Sequence, residues 1–119
     1  MAKTVELGRD HVAGNPLDGQ VDHGPQIDEE QFNKVMTLID SGIEQGVKLK
    51  LGGEIIGPTS FFVEPTVFSN GTDEMDIAKE EIFGPVEQIV KFKDKKEVIE
   101  HRANHGLGAG LFTEDQHST

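Results

Sequence analysis

The chain is 119 residues long and weighs 13.0 kDa, enough for one small domain with a modest core. It carries 22 Asp and Glu against 11 Lys and Arg, a formal charge of −11. Nucleic acids and anionic membrane surfaces are bound through Lys and Arg, so this balance argues against both as partners. The absence of cysteine excludes disulfides, thiolate metal sites and a thiol nucleophile from these residues.

In chain order, residues 1–13 read as the tail of a helix whose large apolar side chains are Val5, Leu7 and Val12. The start lacks the apolar run of a signal peptide, and no stretch reaches the roughly 20 apolar residues of a membrane span, so the expected location is the cytoplasm. Gly14 to Ile27 contains Pro16, Pro25 and three glycines, which predicts a loop of tight turns. Asp28 then predicts a helix N-cap, with Gln31 three residues on in a capping-box-like arrangement and Glu29 and Glu30 where the helix dipole favours anions. Phe32, Val35, Met36, Ile39 and Ile43 recur at helical spacing, and Gly46 closes the element.

Val47 to Leu51 alternates apolar and polar residues, the pattern of a half-buried strand ended by Gly52 and Gly53. A second β-like stretch runs through Phe61 to Glu64 and Thr66 to Phe68. Pro65 interrupts it and has no N–H for a ladder, which predicts an edge or an irregular extension. Asn70-Gly71-Thr72 fits the glycosylation sequon and is read as a turn. A short helical turn over Glu74 to Glu80, a strand over Val86 to Phe92, a short helix over Lys95 to Ala103 carrying Val98 and Ile99, and a strand over Ala109 to Thr113 complete the expected elements. Helices alternating with strands imply an α/β layer with parallel pairing.

Several motifs read most simply as structure. Gly106-Leu107-Gly108-Ala109-Gly110 has dinucleotide-loop character, but its glycines precede a strand rather than follow one, and the third comes one position early, so it is read as a loop. His101 and His105 are spaced for one helix face, but no carboxylate is set between them and Asn104-Gly106 marks a helix end. His11, His23 and His117 are isolated in sequence. Lys91, Lys93, Lys95 and Lys96 read as a solvated face. The segment Asp76 to Val86 is different. Adjacent helical residues do not share a face, so Glu80 and Glu81 are not a paired acid and base. Phe83 before Gly84-Pro85 is either a core ring at a rigid turn or a ring held beside an approachable backbone at a site.

At this point the chain resembles the NAD-dependent aldehyde dehydrogenases, especially the animal cytosolic, mitochondrial and retinal dehydrogenase type. The resemblance rests on Gly14-Asn15-Pro16-Leu17, Gly24-Pro25-Gln26-Ile27-Asp28, Gln31-Phe32, Phe62-Val63-Glu64-Pro65-Thr66-Val67-Phe68 and Ala78-Lys79-Glu80-Glu81-Ile82-Phe83-Gly84-Pro85. Arg102-Ala103-Asn104, Gly106-Leu107 and Leu111-Phe112-Thr113 continue it. It covers nearly everything after about residue 10, and the Glu-Glu-Ile-Phe-Gly-Pro block is its most specific part. Two departures stand out. Only His105 separates the Arg-Ala-Asn match from the following Gly-Leu, where the family has a longer stretch, and Glu87 replaces a commonly uncharged residue.

The resemblance implies that residues 1–119 form a single, incomplete segment of an aldehyde dehydrogenase catalytic domain, an α/β fold with helices alternating with strands of a mostly parallel sheet. It implies NAD as cofactor. Glu81 would meet the nicotinamide ribose, Phe83 the nicotinamide, and Gln31 and Lys34 the adenosine-side ribose. The family's thiolate nucleophile and general base match no residue here and would lie upstream, as would the glycine-rich coenzyme fold. An aldehyde substrate and a homo-oligomeric full-length protein follow from the same resemblance. A non-catalytic, crystallin-like or interaction protein derived from the family is the alternative.

Overall fold

The computed structural model describes residues 1–57, 61–94, 96, 97 and 110. Its elements are α1 (Ala2–Asp10), α2 (Glu29–Glu44), β1 (Lys48–Leu51), β2 (Thr66–Ser69), α3 (Asp76–Lys79) and β3 (Val86–Ile89). The three strands form one mixed sheet in the order β1-β2-β3. β1 pairs antiparallel with β2, and β2 pairs parallel with β3, Thr66 opposite Val86 through Ser69 opposite Ile89. The described sheet is therefore mixed, with one antiparallel and one parallel pair, consistent with part of an α/β domain. β1 follows α2 through a tight turn at Gly46 and turns back to β2, whereas β2 reaches β3 through the α3 crossover that a parallel pair requires.

β2 is the central strand, and all four of its residues are buried. Of the two expectations from Pro65, the edge is not observed and the irregular extension is: residues 61–65 lie outside the strand, with an isolated bridge from Val63 to Ile55. The proline lies just before the strand, where it takes no donor from the ladder, and Thr66 is the first residue to donate, to the Pro85 carbonyl at 2.8 Å. Burial on both faces follows from helices on both sides of the sheet. On one side Val67 lies towards α1: a Cβ placed on Gly8 would fall 2.6 Å from Leu51 Cδ2 and 3.8 Å from Val67 Cγ2. On the other side Phe68 joins Val35, Leu38, Ile39, Val47, Val63, Ile77 and Ile82 in the core beneath α2 and α3.

α2 begins as its sequence dictates, with Asp28 Oδ1 accepting from the Gln31 amide at 2.8 Å. Its buried face is rotated from the expected stripe. Leu38 and Gly42 are inside with Val35 and Ile39, while Ile43 is exposed. Gly42 is there because α3 crosses it closely, its Cβ direction meeting Ile77 at 3.1 Å. β1 is more exposed than a half-buried strand, with Leu49 open to solvent. β3 is shorter than expected, ending at Ile89.

The Gly14 to Ile27 loop is stitched to the end of α1. Asp22 Oδ2 accepts from the Val12 amide at 2.8 Å, and the Asp22 amide donates to the Val12 carbonyl at 2.8 Å. His11 and His23, distant in sequence, stack with ring centroids 5.1 Å apart. They are not isolated in space: His11 Nδ1 is 3.9 Å from Asp22 Oδ2, and His23 Nε2 donates to the Val63 carbonyl at 3.3 Å. Asn70 adopts φ 64, the left-handed geometry of the turn read at Asn70-Gly71-Thr72. Lys91, Lys93 and Lys96 are exposed, as a solvated face requires. The helix expected over Lys95 to Ala103 is described only at Lys96 and Glu97. There, Asp94 Oδ1 accepts from the Glu97 amide at 3.0 Å, as an N-cap would. The His101–His105 pair, His117, the Gly106 to Ala109 part of the glycine-rich motif and the strand expected over Ala109 to Thr113, apart from Gly110, lie outside the described residues.

Candidate functional site

Two elements converge on one surface. α2 carries Gln31 and Lys34 three residues apart, hence on one face. The connection from α3 to β3 carries Glu81 and Phe83. All four residues singled out by resemblance meet here. Gln31 Nε2 donates to the carbonyls of Ile82 at 2.8 Å and Phe83 at 3.1 Å. Lys34 Nζ donates to the Glu81 carbonyl at 3.4 Å and sits 5.8 Å from the centre of the Phe83 ring, within range of a cation–π contact.

The connection is fixed at both ends. At its start, α3 is tied to the last turn of α2. Asp76 Oδ2 accepts from Ser41 Oγ at 3.1 Å and Gln45 Nε2 at 2.7 Å, and Gln45 Oε1 accepts from the Asp76 amide at 3.0 Å. At its end, Gly84 passes so close to α2 that a Cβ there would fall 2.8 Å from Val35 Cγ2. The glycine of the Phe-Gly-Pro motif is thus a packing requirement of the loop against the helix. In between, Ile82 buries its side chain in the core.

The neighbour of that buried isoleucine behaves differently. Phe83 is 63 % exposed and has φ 53. The left-handed region is costly for a bulky side chain and marks a position held by its surroundings. Of the two readings open for Phe83, a core ring is therefore excluded, and a ring presented at a surface stands. Glu80 caps α3 in extended geometry, so Glu81 lies beyond the helix. Their separation comes from the helix ending, not from two faces of one helix.

Sequence reasoning missed three of the parts that build this surface. The Gln45–Asp76 tether joins residues 31 positions apart, and the bonds from Gln31 to Ile82 and Phe83 span 51 and 52, so no local pattern announces them. A separate groove of about 560 Å³ is lined by Gly84 and Pro85 together with Leu7, Gly8, Pro65 and Glu87. It contains none of the four converging residues. Among the described residues no group of three His, Cys, Asp or Glu side chains is placed to hold a metal ion.

Comparison with known proteins identifies the family. The profile of the aldehyde dehydrogenase family matches residues 1–119. Aldehyde dehydrogenase 1A1 of Oryctolagus cuniculus is 55% identical over 115 residues, covering 95% of this chain and 23% of that protein. Aldehyde dehydrogenase, cytosolic 2 of Macroscelides proboscideus is also 55% identical over 115 residues, covering 95% of this chain and 48% of that protein. Among solved structures, a mutant aldehyde dehydrogenase from Bacillus cereus superposes with a TM-score of 0.86 at 34% identity, covering 98% of this chain and 24% of that one. An NAD+ complex of aldehyde dehydrogenase from the same organism gives 0.78 at 36% identity, covering 84% and 20%. The chain thus spans about a fifth to a half of the length of these relatives. The family profile covers the whole chain and relatives are 55% identical over 95% of it, so the chain belongs to the aldehyde dehydrogenase family.

Proposed function

We propose that this chain forms the nicotinamide-ribose side of an NAD site in a protein that oxidises aldehydes to carboxylic acids. The observation that carries the reading is the presentation of Phe83. An aromatic ring is held out to solvent on a left-handed residue, two positions from an exposed carboxylate, with Lys34 beside it. The donor set fits the coenzyme. A carboxylate accepts from two hydroxyls, as a ribose diol offers, and an aromatic face gives a nicotinamide ring apolar contact. NAD supplies hydride acceptance when bound. On this reading Glu81 orients the ribose, Phe83 shields the ring face from water, and Lys34 adds positive charge at the same edge. Gln31 and Lys34, expected at the adenosine-side ribose, bond to the Glu81 to Phe83 segment, so any coenzyme contact they make is proposed on the nicotinamide-ribose side instead. A structural neighbour solved as an NAD+ complex supports NAD, and relatives named cytosolic support a cytoplasmic location. A homo-oligomeric full-length protein is proposed from the family resemblance alone.

Calorimetric titration with NAD tests the site. Glu81→Gln keeps the shape and removes the charge, and is expected to weaken NAD binding about tenfold or more, because a hydrogen bond to a charged group contributes about 1.5–3 kcal/mol. Unchanged affinity would remove Glu81 from the site. No NAD binding by the native protein would favour the non-catalytic, crystallin-like or interaction alternative.

A further inference from the structure

We infer that Gln31 is a positioning residue whose carboxamide clamps the backbone of Ile82 and Phe83 and thereby holds the Phe83 ring in its left-handed, outward presentation. The inference deepens the NAD reading above and rests on it for one of its two readouts. The two groups facing Gln31 are carbonyls, which only accept, so the nitrogen end of the carboxamide must face them. That nitrogen has two hydrogens. One goes to Ile82 O at 2.8 Å and the other to Phe83 O at 3.1 Å, so its donor capacity is fully used within the protein. What remains for a ligand is the carboxamide oxygen alone.

The clamp acts where the chain needs it. Phe83 is one of two non-glycine residues with positive φ among the described residues, and the other, Asn70, is of a type that tolerates this geometry. Phe83 does not, and no backbone hydrogen bond from the described residues holds Ile82 or Phe83 in place. The burial of Ile82 fixes the residue before it, and the close approach of Gly84 to Val35 fixes the residue after it. The peptide between these anchors still has to choose a direction. Gln31 makes that choice by drawing two successive carbonyls towards α2, with Lys34 drawing the Glu81 carbonyl beside them. The Asp28 cap fixes the turn of α2 from which Gln31 reaches.

The experiment is a double-mutant cycle on the protein with two readouts. Gln31→Leu removes both donors, and Gln31→Glu removes them while keeping an acceptor oxygen. Phe83→Gly makes the left-handed backbone free of cost. In crystal structures of Gln31→Leu and Gln31→Glu, φ of Phe83 is expected to become negative, and each variant is expected to bind NAD about tenfold more weakly. In the Phe83→Gly background, adding Gln31→Leu is expected to weaken binding by about twofold at most. If Phe83 keeps positive φ in both Gln31 variants, the clamp is overturned. If Gln31→Leu costs as much with Gly at 83 as with Phe, Gln31 acts by touching the coenzyme and the positioning role is overturned. Should the unmodified protein bind no NAD, the functional reading fails, while the crystallographic readout still decides the clamp.

Discussion

Glu74 shows how a single exposed residue is tuned by its turn. The Thr72 hydroxyl donates to its carboxylate and its own backbone amide adds a second donor, with Lys79 a smaller contribution, so its pKa lies below the ordinary glutamate value. A carboxylate whose folded pKa is depressed binds fewer protons than in the unfolded chain. Its stabilising contribution is therefore present above the unfolded pKa and is lost as pH falls through the folded one. Thr72→Val keeps the shape of the side chain and removes the donor. The Glu74 midpoint, followed by NMR titration, is expected to rise towards the ordinary value in this variant. The stability difference between the two proteins should shrink as pH is lowered through the native Glu74 midpoint. An unchanged midpoint would show that the backbone donor alone sets it.

At the scale of the element, α2 is the part on which both the core and the site depend. Its N-terminus was fully legible, because Asp28, the acids after it and the spacing of Val35 and Ile39 all point to one helix, and the Asp28–Gln31 bond is the local consequence. Its buried face was legible only in part. Which side of a helix faces inward is settled by what crosses it, and here α3 crosses at Gly42 and turns Ile43 out to solvent. The same limit explains β2: Pro65 correctly marks a break, but the break ends at Thr66, and the strand that follows is central because β1 and β3 pair with its two edges. In the site, the motif around Glu81 to Pro85 was visible as a word in the sequence. The geometry that makes Phe83 a presented ring came from Gln31, more than fifty positions away. Since the cap positions that helix, Asp28→Ala is expected to cost about 1 kcal/mol in denaturant unfolding, and Asp28→Asn to cost much less, because Asn is as good a cap. Equal losses for the two would mean that charge at the dipole, rather than the cap bond, is what Asp28 contributes.

For the whole molecule, the decisive chemical fact is the zero count of cysteine in a chain that belongs to the aldehyde dehydrogenase family. The resemblance assigns attack on the aldehyde to a thiolate, and none of the four converging residues carries a thiol. The surface points the same way. Leu17 is 93% exposed, Ile27 88% and Phe92 62%, and both outer strands of the described sheet have an unpaired edge among the described residues, features that leave a chain prone to association when it stands by itself. The 119 residues expressed alone, supplied with NAD and an aldehyde, are therefore expected to give no aldehyde-dependent NADH and to melt without a sharp cooperative transition. Native protein purified from its source is expected to show a subunit mass two to four times larger, in proportion to the share of the relatives that this chain spans. Aldehyde-dependent NADH from the pure 119-residue chain would overturn the assignment of the nucleophile to other residues, and a native subunit of 13.0 kDa would turn the comparison towards a protein that keeps the coenzyme-side surface without the reaction.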